Sequence, residues 1–202
     1  MTLSHLIDTT VVVCYLTGYA LYYWNVFRSG TSPNLSSWIA WAFSSGVSLL
    51  VYIGASSQRT YVLNLLIDAV LCSSVVLVGW KRGRFLSLPA YQKVCLGMAL
   101  LVILLKLCWS SLPSEVLIGL TMLTGISFIP SVATALDGSA REPLLPWAAW
   151  STSLAVSMVA TLMASPTFNA AALPVLSFAG HFSILLASAY ARLHRRCPAA
   201  LA

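Results

Sequence analysis

Two ionisable side chains stand in the middle of long apolar runs: Asp68 within TYVLNLLIDAVLCSSVVLVGW, 60–80, and His181 within VLSFAGHFSILLASAY, 175–190. An ionisable group deep in hydrocarbon costs roughly 2.5–3.5 kcal/mol on insertion scales, so it faces a bundle interior or a water-filled path. A carboxyl there can accept hydrogen bonds, attract a cation or carry a proton. An imidazole near its reference pKa would make activity depend on pH between about 5 and 8. Asn64 lies one helical turn from Asp68, and Ser177 lies one turn from His181, each on the same helix face. Aromatic partners come from two Trp-x-x-Trp pairs, Trp38/Trp41 and Trp147/Trp150. Trp38 and Trp147 open their helices, where interfacial Trp is common; Trp41 and Trp150 sit one turn deeper and are the pocket candidates.

Other chemistry is not expected. HExxH, GxSxG and a phosphate loop do not occur, and His5, His181 and His194 are scattered. One Asp and one His make a poor catalytic set, so the chain is not read as an enzyme. The cysteines at 14, 72, 95, 108 and 197 show no metal spacing and read as small buried apolar residues. No metal and no cofactor is expected. Asp8 reads as a cap or mouth residue of the first helix.

The elements that position these residues follow from composition. The chain has 202 residues, 59% of them hydrophobic and only 8% charged. A soluble domain has about 25% charged residues, so lipid must cover most of this surface. The net charge of +6 sits in short loops rather than in one patch, which argues against nucleic acid as a partner. Continuous apolar runs fall near 5–27, 36–56, 61–80, 91–109, 115–136, 146–164 and 169–191. They predict an all-α membrane protein with seven transmembrane helices. The tail RLHRRCPAALA is expected to fray, and MTLSHLIDTT carries no basic residue of a cleavable signal. Nine Lys and Arg residues follow helices 1, 3, 5 and 7: Arg28; Lys81, Arg82, Arg84 and Lys93; Arg141; Arg192, Arg195 and Arg196. The opposite side holds Arg59 alone, with Lys106 able to snorkel outward. The positive-inside rule then places the N-terminus outside and the C-terminus in the cytoplasm of a cell (inner) membrane protein.

Trp38 and Trp147 define a repeat with an offset of 109 residues. SPNLSSWIAWAFSSGVSLL matches REPLLPWAAWSTSLAVSMV: a polar loop with Pro, then Trp-x-x-Trp, then a Ser-rich helix. Helices 1, 2 and 3 pair with 5, 6 and 7. This predicts a 3+1+3 architecture of parallel duplicated three-helix bundles, with units 1–84 and 111–202 and a linker helix in 85–110. By depth, Asp68 lies 13 residues before Lys81 and His181 lies 11 before Arg192, near mid-membrane.

This arrangement resembles the SWEET/PQ-loop superfamily and the related PnuC-type vitamin transporters. The segments FRSGTSPNLSSWIAW and IPSV…EPLLPWAAW look most like an uncharacterised bacterial seven-helix group related to those folds. The Pro-Gln dipeptide of that superfamily is absent: Pro130 precedes Ser131, and Leu21-Tyr22 stands at the matching place in helix 1. The resemblance implies a transporter of a small polar solute working by alternating access. It implies a solute-lining role for Asp68, His181 and the Trp pairs, with Trp41 and Trp150 the deeper members; Asn64 and Ser177 join them by helical spacing, and the gating candidates are Pro130, together with Arg28 and Arg141, which match in place across the repeat. The family's helices 3 and 7 normally carry amides, so an acid and an imidazole depart from it. A non-transporting membrane partner, receptor or assembly subunit is the alternative. The expected partners are the lipid bilayer, a small polar solute and, as an open alternative, a second copy of the chain in a homo-oligomer.

Overall fold

The computed structural model describes residues 3–28, 31–52, 59–81, 90–108, 113–164 and 168–196. They form seven helices: α1 Leu3–Arg28, α2 Leu35–Tyr52, α3 Arg59–Lys81, α4 Ala90–Cys108, α5 Pro113–Leu136, α6 Leu144–Ala164 and α7 Phe168–Arg196. No strand occurs among the described residues. Helix α7 runs on through Arg192 and Arg196, so the first part of the tail expected to fray is helical. Residues 53–58, where the second apolar run was expected to continue, lie outside the described residues.

The described helices expose many large apolar side chains and bury many polar ones among their hydrophobic core. On α3, Leu63, Leu66, Val70 and Leu77 are exposed, while Asn64, Cys72 and Val75 are buried. On α7, Val175, Phe182, Leu186 and Leu193 face out, while Leu173, Ile184, Ala187 and Ser188 face in. Water would punish both patterns; lipid favours them, because in a bilayer buried hydroxyl and amide side chains are the groups that join helices. Four helices are long and apolar enough to cross a membrane: His5–Arg28, Leu63–Lys81, Leu144–Met163 and Ala172–His194. Helix α5 adds a shorter apolar stretch, Thr124–Leu136.

Helix α3 packs against α2 and α1, and α7 packs against α5 and α6. Among the described residues the backbones of α1 and α2 do not pack directly, nor do those of α5 and α6, so α3 and α7 each lie between two others. The two sets meet through α1 on α6 and α2 on α5, and α4 lies against α5 and α2. These seams are joined by polar contacts. Ser153 Oγ donates to the Val11 carbonyl at 2.8 Å between α6 and α1, and Ser44 and Thr124 hydroxyls meet at 3.2 Å between α2 and α5.

Two loops set the entry of the Trp-bearing helices. Asn34 caps α2: its Oδ1 accepts from the Ser37 amide at 3.3 Å, and its Nδ2 donates to Gln92 Oε1 of α4 at 3.1 Å. Helix α5 ends at Leu136, and Gly138, with a φ of 76°, lets the chain reverse so that the Ala140 amide returns to the Thr134 carbonyl at 3.0 Å. Asp8 lies beyond the first turn of α1, so it is not a cap. Of the cysteines, Cys72 is buried as expected, but Cys108 is exposed and Cys14 is half-buried. Cys197 lies outside the described residues.

Candidate functional site

The seam between the two helix sets encloses a cavity of about 80 Å³. That is room for several water-sized groups, since one water needs about 10–15 Å³ on this measure. Asp68, His181, Asn64, Ser177, Trp41 and Trp150 all line it. Six helices contribute: Tyr15 and Tyr19 from α1, Ser44 and Ser45 from α2, Cys72 from α3, Thr124 and Phe128 from α5, Leu154 from α6 and Leu173 from α7 are also in the wall.

Asp68 faces a set of hydroxyls. The Tyr19 hydroxyl donates to Asp68 Oδ1 and lies 3.1 Å from Cys72 Sγ, and Tyr15 and Ser45 also bond to the carboxyl. These donors fix the carboxyl at the wall while the helix face beyond it, at Leu66 and Val70, meets lipid. His181 is held differently. Its Nδ1 lies 2.8 Å from the Ser177 carbonyl. A carbonyl can only accept, so Nδ1 carries a proton. The ring is boxed by Phe128, Trp147, Trp150 and Trp41, with centroids 5.0, 5.5, 6.0 and 6.2 Å away.

The aromatic wall repeats itself across the seam. Tyr19 meets Trp150 edge-on at 5.0 Å, and Phe128 meets Trp41 at 5.2 Å. Each member of the first pair lies 109 residues from its counterpart in the second. Trp38–Trp150 at 6.2 Å and Trp147–Trp41 at 5.9 Å are related in the same way. Aromatic pairs of this geometry contribute about 0.5–1.5 kcal/mol each beyond burial, so the cluster fixes the seam as well as lining it. Close approach is part of that fit: a Cβ on Gly18 would collide with the Trp150 indole, and one on Gly180 with the Phe128 ring.

The offset also refines the pairing of the two ionisable residues. Asp68 corresponds to Ser177, and Cys72 to His181, so the acid and the imidazole sit one turn apart in register rather than at matched positions. Trp38 and Trp147 are not interfacial anchors. They are 2% and 0% exposed and belong to the cavity wall, because Tyr22 packs on both, at 4.8 and 6.2 Å.

Three groups in this wall are buried without a hydrogen-bond partner among the described residues: Trp38 Nε1 and Trp41 Nε1, both donors, and Asn64 Oδ1, an acceptor. The equivalent Trp150 Nε1 is engaged, donating to the Tyr15 carbonyl at 3.1 Å.

The gating candidates lie elsewhere. Pro130 is inside α5, where it removes one helical hydrogen bond; its carbonyl accepts from Thr134 Oγ1 at 2.9 Å and from Asn34 Nδ2 at 3.5 Å. The Arg28 guanidinium sits 4.1 Å over the Trp24 ring and is exposed. Arg141 is exposed at a second cavity of about 270 Å³, shared with Glu142, Ser188 and Arg192. Tyr19, Cys72, Phe128 and Glu142 are site residues that sequence reasoning did not single out. Glu142 is 3% exposed although it stands in a polar loop. No group of three His, Cys, Asp or Glu that could hold a metal occurs among the described residues. No protein-family model, no curated protein and no solved structure matches the chain.

Proposed function

We propose that the chain is a seven-span membrane transporter of a small polar solute, with two three-helix units, 1–84 and 111–202, rocking about the central cavity. The linker helix falls in 85–110. The observation that carries this reading is the cavity wall itself: an acid, an imidazole and four tryptophans brought by six helices to the seam between two helix sets. The order of packing, with α3 and α7 each between two helices and α1–α6 and α2–α5 across the seam, supports a parallel duplication. So do the aromatic pairs related by one offset. The likeness to the SWEET/PQ-loop plan is one of architecture.

The solute is read from the free groups. Trp41 Nε1 offers a donor, Asn64 Oδ1 an acceptor, and the rings offer faces that suit a polar neutral or cationic molecule. An unmade hydrogen bond on a buried group costs about 1–3 kcal/mol, so a solute that satisfies both gains affinity. Pro130 weakens α5 at the seam, which suits a hinge. The charge of the basic loops supports an N-terminus outside and a C-terminus inside.

Uptake into proteoliposomes of a panel of small neutral and cationic solutes tests the reading. The expected result is saturable uptake of one class, lost in Asp68→Asn and His181→Ala variants that remain folded. Uptake unaffected by both substitutions would sink the site. Reporter fusions placing both termini on one side would sink the seven-span topology.

A further inference from the structure

Glu142 is an acid in the wrong place for a loop residue. It closes the α5–α6 loop, and its side chain is 3% exposed. Its two carboxyl oxygens are met from two sides of the seam. Trp147 Nε1 of α6 donates to Oε2 at 3.0 Å, and the Tyr22 hydroxyl of α1 donates to Oε1 at 3.5 Å. Thr31 Oγ1, from the α1–α2 loop, donates to the neighbouring Arg141 carbonyl at 3.5 Å. The loop is therefore fastened to the opposite helix set at two points.

The nearby cations do not neutralise this carboxyl. Arg192 of α7 spends an Nη2–H on the Glu142 backbone carbonyl, at 2.9 Å, and Arg141 is exposed. Among the described residues no guanidinium or ammonium forms an ion pair with Glu142. Asp137, on the same loop, is turned to the Ser139 amide at 2.8 Å. The groups facing Glu142 are thus Tyr22 from α1, Trp147 from α6, Arg192 from α7 and Arg141 beside it. A buried carboxylate with no cation is strongly disfavoured, and the usual resolution is a proton. Burial pushes the Glu142 carboxyl up to about 7, against the two hydrogen bonds that pull it down. The cavity of about 270 Å³ lined by Arg141, Glu142, Ser188 and Arg192 gives that proton a way to water.

We infer that Glu142 is a proton-binding latch between the two helix sets, closed onto α1 when protonated and released toward Arg141 and Arg192 when ionised. The step is a simple one: the O–H bond of the carboxyl breaks, and the proton passes to water in the second cavity. The carboxylate left behind then has two guanidinium groups within a side chain's reach. Tyr22 and Trp147 lose their acceptor, and the contact across the seam opens. The proton site stands on Glu142 and its neighbours alone; its consequence, proton-dependent opening, rests on the rocking-unit reading above.

Infrared difference spectra of the full chain in nanodiscs, between about pH 5 and pH 9, read the carboxyl directly. The expected result is a protonated-carboxyl band with a midpoint near 7, absent in Glu142→Gln and retained in Asp68→Asn. Tyr22→Phe removes a contact that the latch makes only in its closed, protonated state, so its midpoint should move downward; a carboxyl that stays on Tyr22 when ionised would lose a donor to its charged form and move upward instead. Trp147→Phe should do the same and keeps the test open if Glu142→Gln fails to fold. A band that survives Glu142→Gln, or a midpoint near the ordinary 4.5, overturns the latch. Solute uptake under an imposed pH gradient is scored separately. A Glu142 band without any uptake defeats the transport reading and leaves the proton site standing.

Discussion

Asn34 and Glu142 stand at nearly equivalent places, just ahead of the two Trp-x-x-Trp helices, and each reaches across the seam. Asn34 Nδ2 points to the Pro130 carbonyl at 3.5 Å, and Glu142 Oε1 accepts from Tyr22 at 3.5 Å. Pro130 and Tyr22 fall within one residue of each other when shifted by 109. The first contact is a neutral amide that also caps α2 and bonds Gln92 of α4, so nothing in it responds to pH. The second is an acid without a cation. One side of the molecule carries a fixed fastening and the other a fastening that titrates. The geometry of the two is shared and the chemistry is not. The Trp pairs diverge in the same sense: Trp150 is tied to the Tyr15 carbonyl, whereas Trp41 keeps its N–H for another partner.

The most direct test of this asymmetry falls on the cavity. Asp68 is surrounded by hydroxyl donors on the α1–α3 side, while its counterpart in register is Ser177. Asp68→Asn should lower uptake by at least about tenfold, the equivalent of roughly 1.4 kcal/mol of lost stabilisation at the site. Ser177→Ala keeps the backbone carbonyl that holds His181 and should change uptake far less. Equal losses from the two would erase the difference between the halves.

A larger free-energy effect is expected in the response of stability to pH. The Glu142 carboxyl is raised from 4.5 to about 7 in the folded chain, so the folded state holds its proton more tightly than the unfolded state. Its contribution is fully present below about pH 4.5 and is lost as pH rises through about 7. A rise of that size at a carboxyl out of contact with water corresponds to roughly 3 kcal/mol. Thermal unfolding in detergent should show the midpoint falling between mildly acidic and mildly alkaline buffer, with the fall much reduced in Glu142→Gln. Asn34→Asp, which places an acid in the other fastening, should introduce a new pH dependence where there was none.

These contrasts show what a sequence carries and where it stops. Asp68 and His181 are legible because charge inside an apolar run has few explanations, and Trp41 and Trp150 because a repeat doubles a weak signal. The seven helices are legible for the same energetic reason. Tyr19, Cys72 and Phe128 are not, since a tyrosine, a thiol or a phenyl ring in a membrane helix has no cost that betrays a site. Trp38 and Trp147 mislead, because a helix-opening Trp reads as an interfacial anchor until Tyr22 is seen to cover both. Glu142 is hidden most fully. An acid between Arg141 and Pro143 reads as solvated loop, and only the approach of α1 and α7 removes it from water.

The smallest effect expected, and the one that separates the Trp pairs most cleanly, comes from replacing each deeper tryptophan with phenylalanine. Trp150→Phe removes an N–H that reaches the Tyr15 carbonyl at 3.1 Å. That carbonyl keeps its helical partner, the Tyr19 amide, so the loss is the net contribution of one hydrogen bond made beside the α1–α6 seam, about 0.5–1.5 kcal/mol. Trp41→Phe removes a donor that no described protein group accepts, so the lost bond contributes nothing to folding. Both changes also shrink a ring in a packed wall, a cost the two share, so the difference between them isolates the hydrogen bond. Unfolding in detergent should therefore rank Trp150→Phe as the less stable variant by about 0.5–1.5 kcal/mol. Uptake should rank them the other way. If Trp41 keeps its N–H for the solute, Trp41→Phe should raise the apparent KM with little change in stability, while Trp150→Phe leaves KM nearly unchanged in whatever fraction remains folded. Two variants with the same stability and the same KM would mean that the tryptophans do one job, and that the asymmetry of their N–H groups has no functional consequence.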